Sequence, residues 1–283
     1  MKADFHMHTG FSYDTDSIPE EMVKKSIELG LKTICITDHY DEDYPEDVTA
    51  FQLDIDSYFK EMKRLQDKYK DQIDMRIGIE LGLQPHLGLF YDEYVKKYPF
   101  DFVLGSMHVF DKMDPYYGHY FEGKSDRDAY RAAFEETLET IKSFKNFDVL
   151  GHIDYVVRYG KHKEKEYSYE ENAEIIDEIL KYLIENGKGI ELNTAGFKYG
   201  LGFCHPYPAI LKRYKELGGE IITIGSDGHK PEHIAYDFGK VKGILKDAGF
   251  KYYTEFKGRW PIYVNLDKDW KNTWNFVLDL VQL

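Results

Sequence analysis

The side chains of this chain best suited to chemistry are histidines that recur in the company of acidic residues. Six of the eleven histidines lie beside or at the end of short apolar runs that read as β-strands. Histidine is the commonest metal ligand, and histidines grouped with carboxylates suit a hard or borderline metal ion. The pattern therefore predicts a metal site with the candidate ligands His6, His8, Asp14, His39, Glu80, His108, His152, Asp227 and His229.

Two of these groups share a two-residue spacing. His6 and His8 are two apart, as are Asp227 and His229, and residues two apart on a strand project from the same face. Either pair could therefore hold one ion between its side chains. Taken alone, the histidine pair is also consistent with two rings that pack in a core and hydrogen-bond to the backbone.

Glu80 ends the apolar run 77–79, where a buried carboxylate costs several kcal/mol unless it is paired or bound to a metal. Arg76, four residues earlier on the same run, is the one basic residue within a few positions. We interpret Glu80 as a metal ligand, because a carboxylate with two oxygens can bridge two ions.

The number of candidate ligands exceeds one tetrahedral or octahedral site and favours two or three divalent ions with shared ligands. Nitrogen and oxygen ligands without cysteine suit zinc, iron or manganese. Asp14, Glu80 and Asp227 bring three negative charges and three divalent ions bring six positive ones, which leaves a local charge of +3. Such a site would bind an anion although the chain has a net charge of −14.

Length and composition predict one domain over residues 1–283, because a chain with 42% apolar residues can bury a full core. No apolar run approaches the ~18 residues that span a bilayer, and two cysteines are too few for a disulfide framework. We therefore expect a cytoplasmic protein without a membrane partner. The acidic charge, without a basic stripe interleaved with aromatics, also disfavours nucleic acid as a partner.

Short strands that alternate with helices must position these ligands, and this alternation predicts parallel α/β architecture. The predicted strands are 2–6, 33–37, 75–80, 102–106, 148–152, 189–193 and 220–224. The predicted helices are 22–29 (with Ser17 as N-cap candidate), 51–71, 126–144, 169–186, 207–217 and 235–248, followed by an extra strand at 251–256 and a last helix at 270–283. Seven strand–helix units predict a distorted (β/α)7 barrel with its active site at the C-terminal ends of the strands, where every candidate group falls.

Taken in order, these motifs resemble the polymerase-and-histidinol-phosphatase (PHP) superfamily over essentially the whole chain. The motifs are His6-x-His8, Thr37-Asp38-His39, Glu80, Gly105-Ser106-x-His108, Gly151-His152 and Ser226-Asp227-x-His229. The resemblance implies a distorted (β/α)7 barrel, in agreement with the strand count, and three metal sites. The first would use His6, His8, Glu80 and Asp227, the second Glu80, His108 and His152, and the third Asp14, His39 and His229, where some relatives have a histidine in place of Asp14.

Within the superfamily the chain looks most like the stand-alone histidinol-phosphate phosphatases, in the stretches 8–14, 151–159 and 191–196. This resemblance implies metal-dependent hydrolysis of L-histidinol phosphate in histidine biosynthesis. In those enzymes a basic residue after the fifth strand helps to hold the phosphate, and Arg158 matches that place. A second basic residue follows the sixth strand, and Lys198 is the nearest candidate.

Several points of chemistry stay open at the level of sequence. Asp38 could orient the His39 ring or cap the following turn, and Asp38, Asp227 or a metal-bound water could pass a proton to the leaving alkoxide. His119 and His205 lie in aromatic loops where a substrate role is conceivable. The alternative functions are hydrolysis of another small phosphate ester, such as a nucleotide or sugar phosphate, and a non-catalytic metal-binding module.

Overall fold

The computed structural model describes residues 1–267, without the side chains of Glu164 and Glu166, so the helix predicted at 270–283 lies outside the described residues. The strands are β1 (Ala3–Asp4), β2 (Thr33–Ile36), β3 (His39–Tyr40), β4 (Asp74–Gly82), β5 (Phe102–Ser106), β6 (Val149–Leu150), β7 (Gly189–Asn193), β8 (Ile222–Gly225), β9 (Tyr252–Lys257) and β10 (Trp260–Asn265). The helices are α1 (Pro19–Glu28), α2 (Ile55–Tyr69), α3 (Gly88–Lys97), α4 (Asp126–Ser143), α5 (Tyr169–Glu185), α6 (Ala195–Lys198), α7 (Pro208–Glu216) and α8 (Phe238–Asp247). Short 3₁₀ turns occupy Pro85–Leu87, Pro115–Tyr117, His119–Phe121, Tyr155–Tyr159, Lys163–Glu166 and Pro231–His233.

Seven parallel strands form a barrel in the order β1-β2-β4-β5-β6-β7-β8, and the two-residue β3 adds a further pairing to β4. The barrel closes between its first and last strands, where Phe5 N donates to Ile224 O (2.8 Å) and His8 N donates to Gly228 O (3.0 Å). The predicted (β/α)7 barrel is therefore confirmed. Each of the seven predicted strands overlaps an observed one, and 102–106 and 189–193 agree in both bounds.

The barrel strands are buried almost throughout: every residue of β2, β5, β7 and β8 is buried, and in β4 Asp74 alone is partly exposed. Such strands pack against helices on one face and against the barrel interior on the other, which is why their sequences are nearly continuous apolar runs. Cys35 is one of these buried residues, as its apolar surroundings predict.

The hairpin β9–β10 covers the end of the barrel at which the strands begin. The Phe256 ring packs against Phe102 at a tilt of 34° (ring centroids 5.1 Å apart), and Ile222 N donates to Thr254 Oγ1 (3.2 Å). Arg76 Nε donates to Phe256 O (3.1 Å), so this arginine belongs to the hairpin end of the barrel and not to the end where Glu80 lies. The strand predicted at 251–256 is present, and its partner β10 was not predicted.

The helices differ from their predictions mainly at their ends. Ile18, and not Ser17, is the N-cap of α1, and Ser17 Oγ instead donates to His229 O (2.7 Å). The second helix begins at residue 55 and not 51, because Asp54 caps it by accepting a hydrogen bond from Ser57 N. Helix α3 was not predicted. Within residues 1–267, no helix is long and apolar enough to cross a membrane.

Candidate metal centre

All nine predicted ligands converge at the end of the barrel where the strands terminate. Their ligand atoms form overlapping groups of three in which every atom lies within 4.8 Å of the others, and Asp14 joins through a contact of 2.9 Å between its Oδ2 and His229 Nε2. The groups meet because the C-terminal ends of neighbouring parallel strands lie side by side. They are His8–His39–His229, His6–His8–Glu80, His6–His152–Asp227, His39–Asp41–His108 and Glu80–His108–His152.

Glu80 lies at the middle of these groups and is fully buried. Its Oε2 is 3.1 Å from His6 Nε2, 3.2 Å from His39 Nδ1 and 3.4 Å from His8 Nε2. Its other oxygen, Oε1, is 3.0 Å from His152 Nε2 and 3.3 Å from His108 Nε2. One carboxylate thus faces two separate sets of imidazole nitrogens, as a bridging ligand must.

The spacing of these atoms fits a divalent ion. Two ligand atoms, each about 2.1 Å from one tetrahedral ion, lie about 3.4 Å apart, and His6 Nε2 is 3.1 Å from both His8 Nε2 and Glu80 Oε2. Among the described residues, Glu80 Oε2 and His39 Nδ1 are buried and have no hydrogen-bond partner despite these close contacts. Buried polar atoms that converge in this way, two of them without a hydrogen bond, match the requirements of a metal site.

Asp227 connects the histidines to the basic side of the site. Its Oδ1 lies 3.4 Å from His229 Nδ1 and 3.5 Å from His8 Nε2, whereas its Oδ2 lies 3.6 Å from Arg158 Nη2. Burial opposes ionisation of Asp227, but His6, His8 and His229 hold its pKa well below the usual range. The residue has a positive φ of 52°, a conformation that Asp and Asn tolerate better than most residues.

The five buried histidines among the predicted ligands divide into two groups by pKa. Burial lowers the pKa of His8 and His152, so both rings stay neutral and keep a lone pair for a metal. Burial also opposes the charge on His6, His39 and His108, but neighbouring carboxylates raise the pKa of all three, that of His39 to about 9. A bound cation would therefore have to displace protons from these rings.

Two carboxylates that support the ligand histidines were not predicted. Glu191, on β7, accepts from His6 Nδ1 (2.7 Å) and from His152 N (3.1 Å). Asp41 lies 2.7 Å from His108 Nδ1 and 3.5 Å from His39 Nδ1. A carboxylate on the second ring nitrogen fixes the tautomer and orientation of a metal-ligating histidine. Glu191 had the same sequence signal as Glu80, an acid inside an apolar run.

These carboxylates alter the expected charge of the site. With both included, five carboxylates contact the ligand histidines, so three divalent ions would leave a local charge of only +1. The cavity wall adds three basic side chains, Arg158, Lys198 and Lys230, and three acidic ones, Glu46, Asp47 and Asp114, so the sum stays at +1. Attraction of an anion therefore depends on where the basic side chains lie in the wall and not on metal ions alone.

Asp38 supports the site from behind. Its carboxylate accepts from Thr9 N (2.6 Å), Thr9 Oγ1 (2.7 Å) and Ser12 Oγ (2.7 Å), and the same Ser12 Oγ lies 3.2 Å from His8 Nδ1. Burial raises the Asp38 pKa to about 6, against the effect of these hydrogen bonds. The Asp38 side chain is fully buried and lies outside the wall of the cavity that opens above the metal centre. It is therefore placed to orient the His8 ring through Ser12, and it does not orient the His39 ring.

His119 and His205, the two loop histidines for which the sequence left a substrate role open, lie outside the metal centre. His119 is exposed and pairs with Glu122 (2.9 Å). His205 is fully buried and contacts Asp154 through its Nδ1 (2.5 Å), while its backbone pairs with Asn193. Neither lines the cavity.

The glycines beside the ligands make room for protein atoms and not for a ligand. A Cβ on Gly151 would lie 2.4 Å from Ser106 Oγ, and one on Gly225 would lie 2.1 Å from Glu191 Oε1 and 2.4 Å from His6 Cβ. Gly225 therefore allows Glu191 to reach the ring of His6 across the barrel.

A cavity of about 490 Å³ opens above the predicted ligands, and its wall includes tyrosines and the basic residues Arg158, Lys198 and Lys230. Arg158, on the 3₁₀ turn after β6, is only 7% exposed, and its Nε and Nη2 have no hydrogen-bond partner in the part of the chain that the structure describes. Lys198, at the end of α6, donates to Asp227 O (3.0 Å). A buried guanidinium with unused donors is suited to bind an oxyanion beside the metal ligands.

Comparison with known proteins agrees with this geometry. Residues 4–195 match the model of the PHP domain. The chain is 34% identical to the histidinol-phosphatase of Lactococcus lactis subsp. lactis over 96% of its own length and 98% of the relative. A crystal structure of histidinol phosphate phosphatase from that organism, complexed with zinc, L-histidinol and phosphate, has a TM-score of 0.85 and 33% identity, and the match covers 92% of this chain and 98% of that one.

A second solved structure, from Listeria monocytogenes, has a TM-score of 0.74 at 23% identity and covers 84% of this chain and 99% of that one. At this identity the likeness concerns the fold alone, which is the same barrel. The matched residues include seven of the nine predicted ligands, and the Lactococcus lactis relative is matched over nearly its whole length. The chain belongs to the PHP domain family.

Proposed function

We propose that this protein is a metal-dependent phosphomonoesterase that hydrolyses L-histidinol phosphate to L-histidinol and phosphate in histidine biosynthesis. The observation that carries the proposal is the juxtaposition of a buried histidine–carboxylate centre with a buried arginine whose Nε and Nη2 have no hydrogen-bond partner among the described residues. The bound zinc, L-histidinol and phosphate of the Lactococcus lactis structure support the choice of substrate.

We assign two to three divalent ions to the centre, with zinc as the first candidate and iron or manganese as alternatives. Glu80 would be shared between an ion held with His6 and His8 and an ion held with His108 and His152. Asp227 would complete the first set, and Asp14, His39 and His229 would hold a third ion. Divalent ions in such a site supply a hydroxide nucleophile near neutral pH and polarise phosphoryl oxygens.

Arg158 and Lys198 would bind the phosphoryl oxygens that face away from the metal ligands. The guanidinium can donate two parallel hydrogen bonds to one phosphoryl group, whereas the ammonium acts as a point charge. Both would also stabilise the charge that develops on these oxygens in the transition state.

Asp227 is the better candidate than Asp38 for moving a proton. Its carboxylate lines the cavity, whereas that of Asp38 does not, so Asp227 is the carboxylate placed to take a proton from the attacking water and return it to the leaving alkoxide. Asp38 is enclosed by Thr9 and Ser12, and we assign it the role of orienting His8 through Ser12.

A panel of phosphomonoesters, assayed with zinc, manganese and iron, tests the proposal. Phosphate release from L-histidinol phosphate should exceed release from nucleotides and sugar phosphates. A preference for one of those esters would point to another small-molecule phosphatase of the family. Absence of turnover with every metal, in protein that binds zinc, would favour a non-catalytic metal-binding module. A cytoplasmic location and the absence of a nucleic-acid partner stay predictions.

Replacing Arg158 with alanine should raise KM for L-histidinol phosphate by about 10- to 100-fold, because a hydrogen-bonded charge pair with the phosphate is lost. We expect a smaller change in kcat. Steady-state kinetics of the zinc-loaded protein measure both constants. Arg213→Ala is a matched control, since this surface arginine pairs with Asp177 on the outside of the barrel. An unchanged KM in Arg158→Ala would remove Arg158 from the phosphate site.

Zinc binding to the metal-free protein should release protons at pH 7. Burial opposes protonation of His6, His39 and His108, but the carboxylates around them raise their pKa, so these rings are protonated at pH 7 and must lose protons to become ligands. Zinc affinity should therefore fall as the pH is lowered. Calorimetric titrations in two buffers with different ionisation enthalpies measure the release. Identical binding enthalpies in both buffers would contradict it.

A further inference from the structure

Two tyrosine rings flank the guanidinium of Arg158. Its Cζ lies 4.1 Å from the centroid of the Tyr199 ring and 5.0 Å from that of Tyr155. A ring face stabilises a guanidinium without occupying its N–H groups. Nη2 lies 3.6 Å from Asp227 Oδ2, but neither it nor Nε has a hydrogen-bond partner within residues 1–267. The stacking therefore leaves both donors available for an oxyanion.

The Tyr199 ring also contacts the second basic side chain. Lys198 Nζ lies 4.9 Å from the centroid of the same ring. Two cations that face one cavity repel each other, and the negative face of an aromatic ring offsets part of that repulsion. Tyr155 has a different environment, because its ring packs against the metal-ligand candidates His152 (5.0 Å) and His108 (5.5 Å).

The backbone around Tyr199 is held at both ends of the short helix α6. Thr194 N donates to Gly225 O (2.9 Å), which ties the start of α6 to the end of β8. Within the helix, a Cβ on Gly196 would lie 2.3 Å from Phe203 O, so the following loop packs directly on the α6 backbone. Tyr199 N donates to Ala195 O (2.9 Å) and closes the turn. These contacts fix the position from which the ring reaches Arg158.

We propose that Tyr199 is a positioning residue that holds Arg158 and Lys198 side by side through its ring face and directs the free Arg158 donors at the phosphoryl group of the substrate. The inference rests on the proposed function, in which these two cations bind the phosphate. The ring carries the effect and the hydroxyl does not. Tyr199→Phe should therefore behave like the unmodified protein, and Tyr199→Leu should not.

The test uses the zinc-loaded chain of 283 residues. Tyr199→Leu should raise both KM for L-histidinol phosphate and Kd for inorganic phosphate by about 3- to 30-fold, the range expected for loss of cation–π contacts. We expect kcat to change by less than about threefold, since the metal ligands are untouched. Tyr199→Phe should restore both constants to within about twofold. Tyr199 is 45% exposed, so the leucine variant is expected to fold, and a thermal melt checks this.

A double-mutant cycle with Arg158→Ala separates positioning from a general effect on the cavity. If Tyr199 acts through Arg158, Tyr199→Leu should change the phosphate Kd much less in the Arg158→Ala background than in the unmodified protein. Equal changes in the two backgrounds would overturn the inference, as would a Tyr199→Phe variant as impaired as Tyr199→Leu.

The two readouts also distinguish failure of the inference from failure of the proposed function. If the unmodified protein binds inorganic phosphate but does not hydrolyse L-histidinol phosphate, the proposed function is wrong, and the calorimetric Kd values of the Tyr199 variants still decide the role of the ring. If hydrolysis proceeds and Tyr199→Leu leaves both KM and Kd unchanged, the role of Tyr199 is wrong and the proposed function stands.

Discussion

Replacing Glu80 with glutamine should lower kcat/KM for L-histidinol phosphate by at least about 10³-fold and reduce the zinc content of the purified protein. Both oxygens of Glu80 face imidazole nitrogens, so an amide must turn its NH₂ group towards one of the two sets. An NH₂ group cannot coordinate a cation, so the shared ligand is lost. Several kcal/mol of metal-derived transition-state stabilisation then disappear, at about 1.4 kcal/mol for each factor of ten.

Elemental analysis and phosphate release on the same preparation measure both effects. Glu255→Gln is the matched control, because Glu255 is also a buried glutamate but lies in β9 at the opposite end of the barrel and contacts Tyr253. This control should keep the zinc content and the turnover of the unmodified protein. A Glu80→Gln variant with full zinc content and full activity would show that Glu80 is not the shared ligand.

Asp227→Asn should lower kcat by about 10²- to 10³-fold while the fold is retained. The asparagine can keep an oxygen towards His8 and His229, but its NH₂ group then faces the Arg158 guanidinium, and it cannot accept a proton. The positive φ at this position is tolerated by asparagine, so the backbone is not strained by the change.

The zinc content of Asp227→Asn separates two roles of the carboxylate. We expect loss of at most one ion, because Glu80 and the histidines remain, together with the large fall in kcat. A thermal melt and circular dichroism check that the barrel is intact. Turnover close to that of the unmodified protein would exclude Asp227 from both metal binding and proton transfer.

Local sequence carried most of the information on the barrel and on where its ligands lie. Apolar runs that end in His or a carboxylate identified each strand end, because strands buried on both faces leave few other places for such side chains. Helix α3 was missed because its apolar residues include three in succession, Leu89, Phe90 and Tyr91, of which Leu89 is 86% exposed. That run lacks the 3.6-residue spacing of an amphipathic helix.

The supporting carboxylates were harder to predict because they act across the barrel. Glu191 and His6 are 185 residues apart, and Asp41 and His108 are 67 apart, so nothing in the local sequence connects them. Asp38 illustrates the opposite case, in which two residues adjacent in sequence do not interact through their side chains. Its neighbour in sequence is His39, but its side chain contacts Thr9 and Ser12 on the first loop, since adjacent residues on an extended backbone project to opposite sides.

The closure of the barrel between β1 and β8 ties the metal centre to the completion of folding. Asp227 N donates to His6 O (2.8 Å), so the first and last ligand-bearing segments are joined by their backbones as well as by the ions they would share. Contacts between such distant parts of a chain form at a high cost in loop entropy and are expected late in folding. A metal that binds only the closed barrel stabilises this seam by mass action, so the concentration of free zinc would set how often the barrel opens there.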